Sequence, residues 1–496
     1  MKITLISMDN YIISYGVRCI SSYLKQHGFD VAVIFARDIM DRDMPPSILA
    51  DIADICNGSD IIGISLMTSH FLHSINLTNY LKKRFHIPII WGGIHPTFCP
   101  DESIKWADIV CIGEGEESLL ELCKRIRENK EYRDVSGFWF SRNGQVIKTA
   151  AMPLIGELDK LPYPDYGIAG HFIRDGQHIV RLTDKLFEKY LSKRKTLDGS
   201  YITEYYISTS RGCPFKCSFC SSNSIKALYG GQKFHRLRSV DKVIGEVSEL
   251  INRYNFIKWI YFSDDDIFAS PVKRCEELSA KWKENIGLPF YCTCYPASYD
   301  EKKMKMLVDS GLGIINIGIQ SVSKKGCEVY ERRISAEKLK KVVNSVAAFK
   351  NILPPLYDFI LDNPYENDDD MIENLKFILE IPEPRQLQLF SLVPFPGTGL
   401  YTLMKNDGIL HKYHDKIYRR SYSYPNITYI NLLFFMANNH VSPKIIKALS
   451  SDIALLLFNN RFVKFMLSLI PYSAVIWTVR TFITRELWRF NKPMQD

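Results

Sequence analysis

Two runs of short apolar strands, each strand followed by a helix-length segment, leave this chain few folds to choose from. The first run opens with ITLIS at residue 3, continues through a helical stretch holding Tyr23 and Leu24, stops at Gly28 and resumes with VAVIFA. A second such unit has IIGISLM from Ile61, a helix with Leu77 and Leu81 one turn apart, and IPIIWGG from Ile87. DIVCIG from Asp108 adds another strand, and a helix opens at Glu116. This alternation predicts an α/β, doubly wound, Rossmann-like parallel sheet that binds ligands at the carboxyl ends of its strands, here the loops SLMTSH, WGGIHPT and GEGEES. After residue 135 the pattern loosens. A hairpin turning at Asn143-Gly144 is expected, and the proline-rich LPYPDY (161–166) reads as an extended linker.

The second run starts at Tyr205. Its strands are YYISTS, KWIYFSD, FYCTCYP, GIINIGIQS, YDFILD and LQLFSLVPF. Six consecutive βα units predict a partial (βα)6 TIM-like barrel with its chemistry at the C-terminal face of the strands. A chain of 496 residues also exceeds one hydrophobic core. The expected division is a doubly wound domain over 1–135, a linker with a hairpin over 136–200, a barrel core over 201–405 and a helical C-terminal domain over 406–496. That last region has two readings: a helical cap over the barrel, or a peripheral membrane surface with Lys464, Arg480, Arg485 and Arg489 flanking apolar faces. Its fifteen uncharged residues at 465–479 are broken by Pro471 and are too few to span a bilayer.

Composition narrows the partners. The chain has 63 Lys and Arg against 55 Asp and Glu, a net charge of +8, and the basic residues are scattered. Nucleic-acid binding would need a basic stripe, so no nucleic-acid partner is expected. The opening MKITLISMDN reads as a strand and not as a secretory leader, which points to a reducing, cytoplasmic location. In that setting the twelve cysteines are not a disulfide framework. Nine are dispersed or sit in apolar runs and read as packing residues.

The other three stand together in Ser210-Arg211-Gly212-Cys213-Pro214-Phe215-Lys216-Cys217-Ser218-Phe219-Cys220, directly after a predicted strand. Three thiolates so close can converge on one soft metal centre, zinc or iron–sulfur. Structural zinc would require a fourth ligand, and the next histidine, His235, is fifteen residues on with no second C-x2-C pair. Three cysteines on a four-iron cluster instead leave one iron open to an exogenous molecule.

The spacing C-x3-C-x2-C with an aromatic residue before the third cysteine resembles the signature of the radical S-adenosylmethionine (SAM) enzymes. The resemblance implies a [4Fe-4S] cluster on Cys213, Cys217 and Cys220, whose open iron chelates SAM for reductive cleavage to a 5′-deoxyadenosyl radical. FHRLRSVDKVIGEV resembles the family's Arg-Arg-Ser segment, and YFSDDDIF follows it. Asp264 and Asp265 are implied partners of the methionyl ammonium, with Phe219 a further SAM contact. GIINIGIQS resembles an element that usually carries Glu. Gln320 stands there instead, beside Ser321, and an amide can still bond a ribose hydroxyl. Asp358, Asp362 and Asn363 near a strand terminus, and the P-G-T turn of LVPFPGTGLY, complete the match.

The first domain resembles the cobalamin (B12)-binding domain that precedes the radical SAM barrel in one large subfamily. The matching residues are Asp60 to Ser65 with Thr68, Gly92 to Thr97, and Gly113 to Glu116. The implied cobalamin contacts are Gly63, Ser65, Thr68, Gly92, Gly93, His95, Gly113 and Glu114. The D-x-H-x-x-G element is absent, so the resemblance implies binding without a histidine lower ligand. Together these features imply a cobalamin-dependent radical SAM methyltransferase acting at an unactivated carbon, on a small-molecule or lipid-like substrate, with flavodoxin or ferredoxin as electron donor. A cyclase or rearrangement enzyme built from the same parts, and a non-catalytic iron–sulfur or corrinoid-binding accessory protein, are the alternatives. No catalytic side chain is singled out.

Overall fold

The computed structural model describes residues 1–37, 44–142, 144–196, 199–419 and 424–469. The described residues divide into two compact units that interleave along the chain. The first comprises Met1–Ser192, Ser210–Tyr254 and Pro394–Ser421, and the second Lys193–Thr209, Asn255–Val393 and the stretch from Tyr422 onward.

In the first unit the apolar runs become β1 (Lys2–Ser7), β2 (Asp30–Phe35), β3 (Ile61–Ser65), β4 (Ile89–Gly92) and β5 (Ile109–Cys111). Helices α1 (Tyr15–Gln26), α2 (Pro46–Cys56), α3 (Phe71–Lys82), α4 (Ile94–Phe98), α5 (Pro100–Ser103) and α6 (Glu116–Arg127) connect or follow them. The strands are nearly all apolar because helices cover both faces of a parallel sheet. Ile6, Ile34, Ile62, Ile64, Ile89 and Trp91 pack with Leu77 and Leu81 of α3 in one core. Each such fully buried side chain contributes about 1.5–3 kcal/mol. The Trp91 indole N–H is satisfied by Thr78 Oγ1 at 2.9 Å. The parallel order is β5-β4-β3-β1-β2. It changes direction between β1 and β3, and the crevice at their carboxyl ends is where such sheets take ligands.

Most of the expected linker over 136–200, from β6 through β9, is instead part of this sheet. β6 (Phe138–Arg142) and β7 (Gln145–Lys148) extend one edge antiparallel, and β8 (His171–Asp175) with β9 (His178–Arg181) extends the other, giving nine strands. The hairpin is present, although Asn143 of its turn lies outside the described residues. LPYPDY is packed, with Leu161 and Tyr166 buried. Asp165 accepts from Ser21 Oγ and Lys25 Nζ, both at 2.6 Å, and its Oδ2 lies 3.0 Å from His171 Nε2. Its backbone carbonyl accepts from buried Arg18. Proline content signals an extended chain but not the partners that this buried carboxylate collects.

Following α7 (Asp184–Tyr190), the chain passes through β10 (Lys193–Lys195) and β11 (Tyr201–Ile207) of the second unit. It returns to the first with β12 (Ser210–Arg211), α8 (Ser221–Leu228), β13 (Arg236–Leu237) and α9 (Val240–Arg253). Helix α9 buries Val240, Val243, Ile244, Val247 and Leu250 along one stripe, and Ser239 Oγ caps it by accepting from Lys242 N–H.

The second unit carries a seven-stranded sheet. β14 (Ile257–Phe262), β15 (Phe290–Cys294), β16 (Leu312–Gln320), β17 (Leu356–Leu361) and β18 (Gln386–Ser391) continue from β11 in sequence order, all parallel, while β10 pairs antiparallel at the edge. Helices α10 (Val272–Asn285), α11 (Glu301–Ser310), α12 (Lys324–Val329), α13 (Ala336–Ala347) and α14 (Asp368–Glu380) make the crossovers. Six parallel strands in sequential order give the partial barrel expected from the sequence. Tyr206, Tyr261 and Tyr291 stack across adjacent strands, with ring centroids 4.3 and 4.2 Å apart.

The described residues of the expected helical domain over 406–496 divide between the two units. Helices α15 (Gly399–Asn406) and α16 (His414–Arg419) belong to the first unit. Helices α17 (Tyr429–Asn438), α18 (Pro443–Leu449), α19 (Asp452–Phe458) and α20 (Arg461–Ser468) belong to the second. Arg480, Arg485 and Arg489 lie outside the described residues, as does the side chain of Lys464. No helix among the described residues is long and apolar enough to cross a membrane.

Candidate functional site

The three clustered cysteines lie on a loop whose shape is set by its neighbours. β12 pairs with β13, Ser210 opposite Leu237 and Arg211 opposite Arg236. Gly212 follows with φ +82°, and a Cβ there would lie 2.4 Å from the Phe234 carbonyl oxygen, so only glycine fits directly before Cys213. The Cys220 N–H donates to the Cys217 carbonyl at 3.2 Å, and Leu400 N–H, from the P-G-T-G segment, donates to the Ser218 carbonyl at 2.9 Å. Cys213, Cys217 and Cys220 are half-buried, and no disulfide joins any of the twelve cysteines. Of the other nine, seven are fully buried. Burial pushes the thiols of Cys56, Cys111 and Cys123 up to about 12, which keeps them protonated as packing groups. Three accessible soft donors on one loop fit an iron–sulfur cluster by chemistry and exposure alike.

This loop is fastened to the ligand edge of the first sheet. Arg211 donates to Glu116 Oε1 at 2.6 Å, at the start of α6, and lies 3.5 Å from Glu114 Oε2. Arg236 grips both oxygens of Glu114, with Nη1 3.1 Å from Oε2, and also donates to the Ile155 carbonyl at 2.7 Å. Burial alone would raise the Glu114 carboxyl, yet the Arg236 hydrogen bond and the Arg211 charge hold it below its usual range. Tyr229 Oη accepts from the Glu114 N–H at 2.9 Å and sits over Gly113, where a Cβ would lie 1.9 Å from it. Sequence reasoning had marked Gly113 and Glu114 as cobalamin contacts but gave Arg211, Arg236 and Tyr229 no role towards them. A buried arginine is the signal that finds them, and burial is not visible in a sequence.

The Gly-Gly loop is linked to the same edge. Gly93 has φ +104° and its Cβ position lies 2.7 Å from the Leu66 carbonyl oxygen, so the backbone after β4 runs against the backbone after β3. Thr97 Oγ1 donates to the Gly93 carbonyl at 2.8 Å and accepts from the Gly113 N–H at 3.1 Å. Gly63 packs on Leu5, and Gly92 and Ser65 are half-buried. His95 and Thr68 meet each other: Nδ1 lies 3.3 Å from Thr68 Oγ1, with both residues buried. Burial lowers the His95 pKa to about 4, so the ring is neutral. Its Nε2, 3.6 Å from Glu102 Oε2, makes no hydrogen bond, and the Tyr418 hydroxyl of α16 donates to the same carboxylate oxygen at 3.1 Å. Gly93 and Gly113 thus answer to contacts within the chain, with Leu66 and Tyr229, and the loops after β3, β4 and β5 that these contacts bring together form the edge where a corrinoid would bind.

The SAM candidates other than Phe219, which is half-buried on the cysteine loop, stand on the second unit. Asp264, after β14, is buried and accepts from Thr209 N–H at 3.1 Å and Thr209 Oγ1 at 2.9 Å, while Asp265 beside it is exposed. Gln320 ends β16 with φ +70°, beside a register shift at Gly318. A left-handed conformation is uncommon and strained for a non-glycine residue. Ser321 is buried in a network, donating to Glu366 Oε1 at 2.7 Å, a carboxylate that also accepts from Ser323 and Asn374. Asp362 ties the end of β17 to the helices that follow, accepting from Ser391, Asn426 N–H and Asn431. Asp358 lies inside β17, not at its terminus. It accepts from Asn316 Nδ2 at 3.0 Å, its Oδ1 has no hydrogen-bond partner, and burial raises its carboxyl to about 7.

Comparison with known proteins settles the domain families. Residues 1–123 match the B12 binding domain model, and residues 207–378 match the radical SAM superfamily model. The chain thus joins a B12 binding domain to a radical SAM domain. It is 28% identical over 359 residues to an uncharacterized methyltransferase, PH0819, of Pyrococcus horikoshii, a match covering 71% of each chain. It is 25% identical over 328 residues to the anaerobic magnesium-protoporphyrin IX monomethyl ester cyclase of Cereibacter sphaeroides, covering 64% of this chain and 48% of the cyclase, so it spans about half of that relative. In fold it is similar to the radical SAM methyltransferase TsrM of Kitasatospora setae, solved with cobalamin and a [4Fe-4S] cluster. The TM-score is 0.64 at 15% identity, over 82% of this chain and 78% of TsrM.

Proposed function

We propose that this chain is a cobalamin-dependent radical SAM methyltransferase acting at an unactivated carbon of a small-molecule or lipid-like substrate, in the cytoplasm and with a flavodoxin or ferredoxin as reductant. The observation that carries the reading is the fastening of the three-cysteine loop, through Arg211 and Arg236, to Glu114 and Glu116 at the ligand edge of the B12 binding domain. A corrinoid carrier alone would not need its binding edge joined by buried ion pairs to a thiol loop.

Cys213, Cys217 and Cys220 would hold the cluster. Phe219, Asp264, Asp265, Gln320 and Ser321 would bind SAM, and Gly63, Ser65, Thr68, Gly92, Gly93, His95, Gly113 and Glu114 would line the corrinoid site. When bound, the cluster supplies the electron that cleaves SAM and the corrinoid supplies the methyl group. The residues of the chain bind, orient and exclude water. Neutral His95 is locked against Thr68, Gly93 and Gly113 hold the backbone close, and the Arg–Glu pairs keep loop and sheet edge in register.

The test is anaerobic reconstitution of the full chain followed by reaction with methyl-labelled SAM. Label in the product and 5′-deoxyadenosine release support methyl transfer. Deoxyadenosine without product label would move the chain to the cyclase or rearrangement reading, and no deoxyadenosine at all would leave an accessory protein. Cys217→Ala should abolish cleavage and lower bound iron, while cobalamin binding, read by its absorption, should survive.

A further inference from the structure

Helices α17 to α20 divide sharply in how they treat their apolar residues. α17 buries Ile430, Leu433, Phe434 and Phe435, and Asn431 bonds Asp362 at 2.8 Å. It packs on α14 and β18 of the second unit. α19 and α20 do the opposite. Ile453, Leu456 and Leu457, spaced i, i+3 and i+4, are exposed, and so are Phe462, Phe465, Met466 and Leu469, spaced i, i+3, i+4 and i+7. The exposures reach 80% at Leu456, 73% at Ile453 and 72% at Phe462. A helix of a water-soluble protein turns such a stripe inward, so two successive helices turning it outward mark a surface built for an apolar phase.

The joint between these helices is held in place. Asn459 Nδ2 donates to Asp368 Oδ2 at 2.6 Å, at the start of α14, and Phe458 stacks on Tyr429 of α17 with centroids 5.6 Å apart. The apolar stripes are thus presented outward from an anchored corner. Charge selects the occupant. From residue 443 to residue 469 the sequence has four basic residues, Lys444, Lys447, Arg461 and Lys464, against one acidic residue, Asp452, so the helices and their joints are net positive. A second copy would bring a like-charged segment to the same face. An anionic lipid surface offers an apolar phase for the stripes and negative headgroups for the basic residues.

We propose that α19 and α20 form a membrane-interface anchor that lays the Ile453, Leu456, Phe462 and Met466 stripe into the headgroup boundary of an anionic bilayer. The anchor is independent of the reaction the chain performs.

Co-sedimentation of the full chain with phosphatidylcholine vesicles containing phosphatidylglycerol tests it, beside vesicles of phosphatidylcholine alone. The expected result is binding that requires the anionic lipid, weakens with salt and falls at least about tenfold in Leu456→Glu/Phe462→Glu. Both side chains are exposed, so this variant should keep the parent melting temperature, which separates loss of anchoring from loss of folding. The proposal is overturned by absence of binding, by equal binding to both vesicle types, or by binding unchanged in the double variant. A concentration-dependent dimer in analytical ultracentrifugation that the double variant abolishes would also overturn it and assign the face to a second copy.

Discussion

Single residues in this chain carry constraints that neither their type nor their neighbours in sequence announce. Gly212 is the plainest case. Its left-handed φ of +82° and the Phe234 carbonyl 2.4 Å from its Cβ position leave no room for alanine. Gly212→Ala should destabilise the loop by about 1–3 kcal/mol and lower the iron and sulfide retained after anaerobic reconstitution, with little change in cobalamin uptake. Asp358 makes a prediction of a different kind. Its carboxyl is raised from 3.8 to about 7, chiefly by burial, although Asn316 donates to it. A raised carboxyl pKa contributes stability below the unfolded value and loses it as pH rises through the folded value, so this contribution should fade between about pH 4 and pH 7. Asp358→Asn should melt higher than the parent at pH 8, by an amount that shrinks towards pH 5, in thermal scans across that range. The residue types at Asp358 and Asp264 were legible in the sequence. That Asp264 spends its oxygens on Thr209 while Asp358 keeps an oxygen unbonded was not, because hydrogen-bond partners come from other strands.

Among elements, the short pair β12–β13 has an effect out of proportion to its length. Two residues on each strand bring Arg211 and Arg236 to the mouth of β5 and the start of α6, where Glu114 and Glu116 meet them. Removing one partner of a buried pair leaves an uncompensated charge and costs about 3–5 kcal/mol. Arg236→Met should therefore destabilise strongly, and the double variant Arg236→Met/Glu114→Gln should recover part of the loss. A double-mutant cycle read by thermal melts checks this, with the visible spectrum of bound cobalamin reporting whether the loop still sits at the sheet edge. The strands and long helices were readable from apolar periodicity. β12 and β13 were not, since two residues carry no period and their pairing joins segments on either side of a loop and a helix.

Across the whole molecule, the main difference from the sequence reading lies in where the units begin and end. The segment 138–181 completes the first sheet on both edges, and Asp165 within it gathers Ser21, Lys25 and His171. Burial works against this carboxylate, but bonds from His171, Lys25 and Ser21 hold it well below the usual range. Its contribution to stability should therefore be present at neutral pH and fade as the medium turns acidic. Asp165→Asn should cost the chain about 3–5 kcal/mol at pH 7 and much less under acid conditions, measured by denaturant melts at the two pH values. Apolar period, glycine placement and cysteine spacing are local properties. They sufficed to determine two α/β units and six parallel barrel strands and to single out the cysteine loop. Which strands share a sheet, which carboxylates are paired, how the chain interleaves between units and which helix faces stay open were decided only in the tertiary structure. Each of these depends on the burial and pairing of groups far apart in sequence, and the energy of a buried charge or an exposed stripe does not exist until the chain is packed.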